Sequence, residues 1–379
     1  MARRWTINGR FLSQATTGVQ RYAREVVRSL DNLIQERVPL ARDLHVQLLC
    51  PPGSANFPLF SVERREIGGA VGHVWEQARL PFALEGGGLL SLCNTGPLLS
   101  RKHIVCIHDA NVWNAPQSYS RAFRNFYRTL LPYLGKTAWG ISTVSDYSLG
   151  ELVRRGVIPA QRAFVAPNGH EHALRWAPEH SIRTRLAASP ETIVMIGSAA
   201  PHKNMRLVLN MADRLAEAGL RIAIVGISDT RVYRSGATSA NAQNIHWLGR
   251  IADGELAALL ADSLCLAFPS LTEGFGLPAL EAMAIGCPVV VSDRASLPEV
   301  CGNAALFASP DDQDAWFNSF VQLRSSRSLR GQMISKGRAR AAAYSWRATG
   351  LRYLEAMAAA DGVDMEIKSR QGSRIHMIS

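Results

Sequence analysis

Two glutamates on either side of a glycine-containing loop are the residues in this sequence best suited to chemistry. Glu273 and Glu281 flank the letters G-F-G-L-P at 274–278, and an apolar run, residues 264–268, comes shortly before them. Glycines let backbone N–H groups approach a ligand closely, and the N-terminus of a helix favours anions. Carboxylates accept hydrogen bonds from sugar hydroxyls. The stretch therefore predicts a site for a ligand that is part phosphate and part sugar, with two ordinary surface glutamates as the alternative.

Two more candidate groups follow predicted parallel strands. His108 and Asp109 stand at the carboxyl end of the apolar run 103–107, and Lys203 ends the loop that follows the run 192–196. Ligands bind beyond the carboxyl ends of strands in open α/β sheets, and an ammonium beside a helix N-terminus suits a phosphate. A structural His–Asp pair and a solvated lysine are the alternatives. No G-x-x-x-x-G-K-[ST] phosphate loop is present.

Strands and helices alternate through both halves of the chain. The pattern predicts strands at 5–11, 45–50, 89–93, 103–107, 139–144, 164–166, 192–196, 221–225, 245–250, 264–268 and 288–292. It predicts helices at 19–30, 75–81, 119–135, 148–155, 205–218, 255–260, 278–285 and within 314–345, with a last helix at about 346–359. This alternation predicts the α/β class, with two Rossmann-like doubly wound domains facing a central cleft. The predicted first domain is 1–170 and the predicted second domain is 171–345, with a linker near 168–190. A helix at 346–360 is expected to pack back toward the first domain, and a loosely held tail follows at 361–379.

Composition, charge and cysteine spacing limit the classes of protein to which this chain can belong. The chain has 379 residues, 47% of them hydrophobic, and a net charge of +11 that lies mostly in the first half. We expect no membrane span and no signal peptide, because no apolar run is long enough and the N-terminus has no apolar region. The six cysteines show no metal or disulfide spacing, which indicates buried thiols in a reducing cytoplasm. The acidic letters at 311–314 are typical of a turn and helix start rather than of a metal site.

The predicted helix at 119–135 combines arginines with aromatic residues. One interpretation is an amphipathic helix whose aromatic side chains pack in the core, and the pattern slightly favours it. The other is a basic, aromatic surface near lipid headgroups or a charged acceptor.

Taken together, these motifs resemble the retaining glycosyltransferases of family 4, which have the GT-B fold, and in particular the mannosyl- and rhamnosyltransferases of bacterial surface polysaccharide assembly. The resemblance extends from Asn8 to about Met357. Glu273 and Glu281 have the E-x7-E spacing of that family. The other matching motifs are N-G-R (8–10), T-G-V-Q-R-Y (17–22), W-E-Q (75–77), H-D (108–109), P-N-G (167–169), K-N (203–204), P-S (269–270), P-V-V (288–290) and L-P-E (297–299).

The resemblance implies a role for each matching residue. Glu273 would contact the donor sugar, Glu281 the nucleotide ribose and Lys203 the leaving phosphate, while His108 would face the reaction centre. Glu273, Lys203 and His108 are therefore the predicted catalytic residues. Besides Lys203 and Glu281, the predicted donor-binding residues are Gly18, Ser198, His202, Asn204, Gly274, Phe275, Gly276 and Leu277. The predicted acceptor-binding residues are Trp75, Glu76 and Asp109.

The resemblance also implies an activity. It predicts retaining, metal-independent transfer of a hexose, mannose or a deoxyhexose such as rhamnose, from a GDP-sugar to a glycan acceptor carried on a lipid. No cofactor and no nucleic acid are expected, and the enzyme would be cytoplasmic with a possible peripheral contact to the inner membrane. A UDP-sugar donor is the first alternative; a GT-B epimerase or phosphorylase and a non-catalytic basic binding protein are the others. Many relatives carry an arginine in the loop before the lysine, where this chain has Ser198 and His202, and a protonated His202 could partly replace it.

Overall fold

Parallel β-sheets form the centre of both halves of the chain. The computed structural model describes residues 2–226 and 244–363. The chain divides into two units: unit 1 comprises residues 2–110, 122–168 and 345–363, and unit 2 comprises residues 111–121 and the described part of 169–344. The segment 111–121, which the sequence places inside the first domain, therefore belongs to unit 2.

Unit 1 contains a seven-stranded sheet in the order β3-β2-β1-β4-β5-β6-β7, with every neighbouring pair parallel. The strands are β1 (Arg3–Asn8), β2 (Leu44–Cys50), β3 (Glu63–Glu66), β4 (Gly88–Ser91), β5 (His103–Cys106), β6 (Gly140–Thr143) and β7 (Ala163–Val165). The helices are α1 (Gly18–Gln35), α2 (Gly72–Ala78), α4 (Arg121–Thr137), α5 (Asp146–Arg154) and α15 (Trp346–Ala360), and α3 (Asn111–Asn114) belongs to unit 2.

Unit 2 contains a six-stranded parallel sheet in the order β10-β9-β8-β11-β12-β13. The strands are β8 (Thr192–Ile196), β9 (Arg221–Val225), β10 (Ile245–Gly249), β11 (Cys265–Phe268), β12 (Val289–Ser292) and β13 (Leu306–Ala308). The helices are α6 (Glu171–Leu174), α7 (Ile182–Ala187), α8 (Arg206–Leu209), α9 (Ala212–Glu217), α10 (Asp253–Ala261), α11 (Leu277–Ile285), α12 (Leu297–Cys301), α13 (Gln313–Ser325) and α14 (Arg327–Ala342). Both strand orders reverse beside the first strand of the sheet, which is the Rossmann pattern.

The first strand ends earlier than the apolar pattern predicts. β1 stops at Asn8, whose side chain accepts a hydrogen bond from the Arg10 N–H at 3.2 Å and caps the 3-10 helix Gly9–Ser13. Gly9 fits this turn because it has no Cβ. A Cβ at this position would lie 2.9 Å from Cys50 Cβ and even closer to a backbone atom. Phe11 therefore lies in a helical turn, and side-chain chemistry at the strand end overrides the hydrophobic run.

Two other predicted segments differ from the structure. The predicted linker at 168–190 contains α6 and α7, and the Ser181 side chain caps α7 by accepting from Thr184 N at 3.4 Å. The single helix predicted at 205–218 is two short helices, α8 and α9, because the backbone at Met211 leaves helical geometry. Local capping and packing decide both cases.

The last helix packs within unit 1. The Tyr353 hydroxyl on α15 lies 2.8 Å from the Tyr22 hydroxyl of α1 and 2.7 Å from Ser142 Oγ at β6. Asp361 then makes a 2.6 Å ion pair with Arg3 and a 3.1 Å hydrogen bond with the Trp5 indole. The prediction of a tail that is loosely held from residue 361 is therefore wrong for Asp361, and residues 364–379 lie outside the described residues.

Candidate active site

The loop between β11 and α11 is shaped by a glycine in the left-handed region. Gly276 has φ 96° and forms the N-cap of α11, with Pro278 in the first turn of the helix. A Cβ on Gly276 would lie 2.6 Å from Leu297 Cδ2, so a larger residue would strain both backbone and packing. The loop is held from the other side by Ser296, which donates from Oγ to the Glu273 carbonyl at 3.0 Å. Glu273 therefore lies on a loop of fixed shape.

Lys203 and Glu273, predicted from separate motifs, form an ion pair. Lys203 Nζ lies 2.7 Å from Glu273 Oε1, and the side chains are 21% and 12% exposed. The ammonium also lies 5.5 Å from the centroid of the Phe268 ring. Lys203 follows β8 and Glu273 follows β11, and these two strands are neighbours in the sheet. The carboxyl edge of the sheet thus presents a cation and an anion together, which suits a ligand with both phosphate and hydroxyl groups.

Glu281 is almost fully buried and has a histidine partner. His172 Nε2 lies 2.8 Å from Glu281 Oε1, and the two side chains are 2% and 8% exposed. The edge of the His172 ring packs against Trp176, with ring centroids 5.6 Å apart. His172 comes from α6, inside the segment that the sequence assigned to a linker, so sequence reasoning missed it. The H-E-H letters at 170–172 after the P-N-G turn were the available signal.

His202 is held by a serine from the segment 111–121. His202 Nδ1 lies 2.8 Å from Ser118 Oγ, and the His202 backbone N–H donates to the same oxygen at 3.3 Å. The Tyr119 ring stacks on the imidazole, with ring centroids 6.3 Å apart. Burial and then the charge of Lys203 lower the pKa of His202, which disfavours the protonated form that would replace an arginine. Ser118 and Tyr119 carried no recognisable signal in the sequence.

The segment 111–121 also contacts the loop that carries Glu273. Thr272 Oγ1 donates to Asn111 Oδ1 at 3.0 Å, and both side chains are buried. Between the two site loops, the Leu271 N–H donates to the His202 carbonyl at 2.8 Å. The loops before Lys203 and Glu273 are thus tied to each other and to one further segment within unit 2.

The other predicted donor-binding residues of unit 2 have varied surroundings. Asn204 adopts a left-handed conformation (φ 49°) and donates from Nδ2 to the Pro310 carbonyl at 3.0 Å, so it shapes the loop after Lys203. Ser198 is exposed, and its Oγ accepts from Ala200 N at 3.4 Å. The Phe275 ring is buried, and its centroid lies 5.4 Å from that of the Tyr344 ring in an edge-to-face arrangement. Phe275 and the buried Leu277 can therefore serve a ligand through their backbones, as can Gly274 and Gly276.

His108 lies at the end of β5 in unit 1, with its ring largely buried. Its Nε2 lies 2.8 Å from the Leu92 carbonyl, and its backbone N–H donates to Asn94 Oδ1 at 2.7 Å. Burial acts to lower the pKa of His108, but the neighbouring Cys106 and the Leu92 carbonyl outweigh it and raise that pKa. The Tyr22 ring packs edge to face with the His108 ring, and the two ring centroids are 4.8 Å apart. These contacts fix the orientation of the imidazole, and the half-buried Asp109 follows it in sequence.

The prediction that Trp75 binds an acceptor is wrong. Trp75 is fully buried in a small core cluster with Leu49, Leu80 and Leu89, and its indole N–H donates to the Ile67 carbonyl at 2.9 Å. A side chain with no exposed surface cannot contact an acceptor. The pattern of apolar residues in a seven-residue helix was too short to show which face is buried.

Glu76 is enclosed as well, at the centre of a polar network. Its Oε1 accepts hydrogen bonds from Asn8 at 2.6 Å, Arg10 at 3.2 Å and Thr95 at 3.1 Å, and His73 Nδ1 lies 3.2 Å from Oε2. Burial acts to raise the pKa of Glu76, but the His73 hydrogen bond and the Arg10 charge outweigh it and lower that pKa. Glu76 is 1% exposed, so the structure corrects its predicted role from acceptor contact to support for the strand ends around it.

Gly18 begins α1 in unit 1 and is exposed. A Cβ at this position would meet no other atom within 4 Å, so neither packing nor backbone conformation requires a glycine there. The helix has 18 residues, and Thr17 and Gln20 form a capping box at its start.

Several aromatic side chains of α4 are exposed rather than packed in the core. Phe123 and Phe126 are 41% and 45% exposed, while the buried residues of this helix are Leu130, Leu131, Leu134 and Gly135. The expectation that the core uses these aromatic rings is therefore wrong. Among the described residues, no helix is both long and apolar enough to cross a membrane.

The described ranges contain no group of three or more His, Cys, Asp and Glu side chains that could hold a metal ion. Asp312 instead caps α13 by accepting from Ala315 N at 3.0 Å, which confirms the predicted helix start.

Comparison with known proteins identifies a similarity to one family. Residues 178–340 match the family model described as glycosyl transferases group 1. This range of the chain is similar to that glycosyltransferase family. The matched range contains Lys203, Glu273 and Glu281, and the resemblance predicted from the sequence is confirmed.

Two curated relatives of this chain are mannosyltransferases. The chain is 30% identical over 258 residues to O-antigen chain mannosyltransferase B of Escherichia coli, covering 64% of this chain and 66% of the relative. It is 30% identical over 278 residues to the MMP alpha-(1->4)-mannosyltransferase of Mycolicibacterium hassiacum, covering 69% of this chain and 65% of the relative. The chain thus spans slightly less than two thirds of each of these relatives.

Solved structures with the same fold cover almost the whole chain. Sucrose-phosphate synthase from Thermosynechococcus elongatus has a TM-score of 0.71 and 18% identity, covering 96% of this chain and 100% of that one. WaaG, a glycosyltransferase involved in lipopolysaccharide biosynthesis, has a TM-score of 0.66 and 13% identity, covering 93% and 99%. The predicted GT-B fold, with two parallel-sheet Rossmann-like domains, is confirmed.

Proposed function

We propose that this glycosyltransferase moves a hexose from a nucleoside diphosphate sugar to a glycan acceptor in the assembly of a surface polysaccharide. The observation that carries the proposal is the 2.7 Å pair of Lys203 and Glu273 on two neighbouring strand ends, beside the N-terminus of α11. A cation and helix N–H groups stabilise a departing diphosphate, and a carboxylate accepts from sugar hydroxyls. The mannosyltransferase relatives support the reaction class.

We infer that mannose, or a deoxyhexose such as rhamnose, is transferred from a GDP-sugar. The support is the names of the relatives, and a UDP-sugar is the alternative. In this proposal Glu273 contacts the transferred sugar and Glu281 the ribose, while Lys203 neutralises charge on the leaving diphosphate. The reaction retains the anomeric configuration, with the leaving phosphate helping to deprotonate the acceptor, and it needs no metal ion.

A thermal-shift screen tests donor and metal independence together. GDP-mannose, UDP-glucose and ADP-glucose are each added to the protein in EDTA, because a ligand that binds only the folded state raises the melting temperature. We expect GDP-mannose to give the largest rise. A larger rise with UDP-glucose would select the alternative donor, and a rise with none of the three would contradict the proposed site.

Variants of the ion pair test the assignment of the site. Lys203→Met and Glu273→Gln should each lower transfer at least 100-fold, because the loss of a preorganised charge near developing charge costs about 3 kcal/mol or more. The matched controls are Lys336→Met on α14 and Glu217→Gln on α9, two exposed positions outside the site. Full activity in Lys203→Met would refute the role of the lysine.

Analysis of the product's anomeric configuration by NMR tests retention.

Other reactions on the same fold are separated by the products formed. An epimerase would change the sugar nucleotide without acceptor, and a phosphorylase would need inorganic phosphate. The proposed transferase should release the nucleoside diphosphate rapidly only when a glycan acceptor is present. Rapid, acceptor-independent conversion of the donor would favour one of the alternatives.

We propose a lipid-linked acceptor and peripheral contact with the inner face of the membrane. The support is the exposed Phe123 and Phe126 on α4, together with Arg124 and Arg128 on the same helix and the exposed Val74 on α2. His73, next to Val74, has its ring centroid 5.1 Å from that of Phe126, which brings the two helices together. Aromatic and basic side chains suit an anionic lipid surface. Sedimentation with vesicles containing anionic lipid should fall in a Phe123→Ser, Phe126→Ser double variant.

A further inference from the structure

The hydrogen bonds of Ser118 decide where His202 carries its ring proton. Ser118 Oγ accepts from the His202 backbone N–H at 3.3 Å and lies 2.8 Å from His202 Nδ1. A hydroxyl has one proton to donate. Among the described residues, Nδ1 is the only acceptor within reach of Ser118 Oγ, so the hydroxyl can donate to it while it accepts from the backbone N–H. In that arrangement Nδ1 is unprotonated, and the neutral imidazole has its proton on Nε2.

The surroundings of His202 favour this uncharged form. The ring is largely buried and stacks on Tyr119, with the planes inclined by 17°. Burial lowers the pKa of His202, the adjacent Lys203 lowers it further, and Glu273 acts in the opposite direction. The imidazole is therefore neutral at physiological pH and adds no charge to the site.

The opposite ring nitrogen is available to a ligand. Within the described part of the chain, no group hydrogen-bonds to His202 Nε2, and this atom is not sealed from solvent. The next residue is Lys203, whose ammonium pairs with Glu273. An N–H group with an unused proton beside a paired lysine is suited to an anionic oxygen.

We propose that Ser118 is a positioning residue that fixes the tautomer of His202, so that the uncharged Nε2–H donates a hydrogen bond to a phosphate oxygen of the donor substrate. The inference rests on the proposed function, because it needs a nucleoside diphosphate sugar at Lys203. It assigns the segment 111–121 a part in donor binding through Ser118. It also explains how a histidine serves in a loop where many relatives have an arginine: it offers directed hydrogen bonding without charge.

The tautomer can be measured without a ligand. In protein labelled with ¹⁵N-histidine, long-range ¹H–¹⁵N spectra at pH 7.5 should show His202 with the proton on Nε2, with His202→Gln used to assign the signal. Ser118→Ala should give a mixture of tautomers, because Nδ1 loses its hydrogen-bond donor. A proton on Nδ1, or a charged ring, in the unaltered protein would overturn the proposal.

Matched variants of His202 test the contact itself. The amide nitrogen of Gln can occupy the position of Nε2, while that of Asn corresponds to Nδ1. We expect His202→Asn to weaken GDP-mannose binding about 3- to 10-fold, as for the loss of one hydrogen bond, and His202→Gln to restore most of the affinity. Ser118→Ala should weaken GDP-mannose binding less than His202→Asn does. Adding Ser118→Ala to His202→Asn should cause no further loss of affinity. Binding of guanosine, which lacks both phosphates and the transferred hexose, should change little in any variant.

The outcomes separate this inference from the proposed function. If the unaltered protein binds GDP-mannose, or UDP-glucose in its place, and His202→Asn binds it equally well, only the role of His202 is refuted. If the unaltered protein binds no nucleoside diphosphate sugar, the proposed function fails and this inference fails with it. Equal losses in His202→Asn and His202→Gln would show a general packing effect and would also refute the hydrogen bond.

Discussion

Single side chains gain their roles here from partners that are distant in sequence. Glu281 has a carboxylate that is almost wholly enclosed, and His172, more than 100 positions earlier, lies 2.8 Å away. A buried carboxylate without its hydrogen-bond donor is costly, since the desolvation of a charged group is then poorly compensated. The orientation of the Glu281 carboxylate therefore depends on His172, and so does the proposed contact of Glu281 with a ribose.

Replacing His172 should impair donor binding through Glu281. We expect His172→Leu to lower both the free energy of unfolding and donor affinity by about 1–3 kcal/mol, because Glu281 loses a buried hydrogen bond. His172→Gln, which can still donate, should lose less of both. Isothermal titration with the donor and urea unfolding measure the two effects, and unchanged donor affinity in His172→Leu would contradict the dependence.

The buried His103 on β5 should make the stability of unit 1 depend on pH. Burial lowers the pKa of His103 to about 3, and its Nε2 lies 2.9 Å from Ser91 Oγ. Below a pH of about 6.5 the unfolded chain binds a proton that the folded chain does not, so the free energy of unfolding falls by about 1.4 kcal/mol per pH unit. Between pH 6 and pH 5 this loss should be absent in His103→Leu. His45→Leu, at an exposed position, is the control and should keep the slope seen in urea unfolding.

At the scale of elements, the start of α11 sets the shape of the loop between β11 and α11, the proposed donor site. Gly276→Ala should destabilise the protein by about 1–3 kcal/mol, because the residue is left-handed and the new Cβ would lie 2.6 Å from Leu297 Cδ2. Donor affinity should fall with it, since the backbone of the loop moves. Gly331→Ala on α14 is the control: its Cβ meets nothing within 4 Å, and alanine should stabilise that helix slightly. Equal stability of the two variants would contradict the importance of the loop conformation.

For the whole molecule, the C-terminal helix makes the fold of unit 1 depend on both ends of the chain. Ser29 Oγ on α1 donates to the Trp346 carbonyl at 2.8 Å, and Gly350 on α15 packs against Ser29 and Leu33. A first domain that ended at residue 170 would leave Tyr22 without the Tyr353 hydroxyl. Unit 1 therefore needs residues from beyond unit 2 in sequence.

Overpacking this helix contact should destabilise one unit selectively. Gly350→Val should cost about 1–3 kcal/mol, because the added atoms overlap Ser29 Oγ and lie about 3.0 Å from Leu33 Cδ1. Hydrogen exchange should then speed up in β1 and β5 and stay unchanged in β8 and β11. Gly150→Val on α5, where a Cβ meets nothing within 4 Å, is the matched control. Equal loss of protection in both sheets would show that the two units unfold together.

The sequence by itself determined the α/β class, most strand positions and the family resemblance. Apolar β-branched runs predict buried parallel strands such as β5 and β11, and the spacing of Glu273 and Glu281 around glycines is a local pattern that needs no tertiary information. The largest shift of a strand end is at β1, where Asn8 caps the turn that follows the strand.

Only the tertiary structure decided which residues support the site. Ser118 meets His202 across 84 positions and His172 meets Glu281 across 109, and no local periodicity encodes such pairs. The sequence likewise could not tell that Trp75 and Glu76 are enclosed, because burial depends on what other segments cover a short helix. Hydrophobic patterning reports which face of an element is apolar, whereas the partner of a buried polar atom is set by the packing of distant segments.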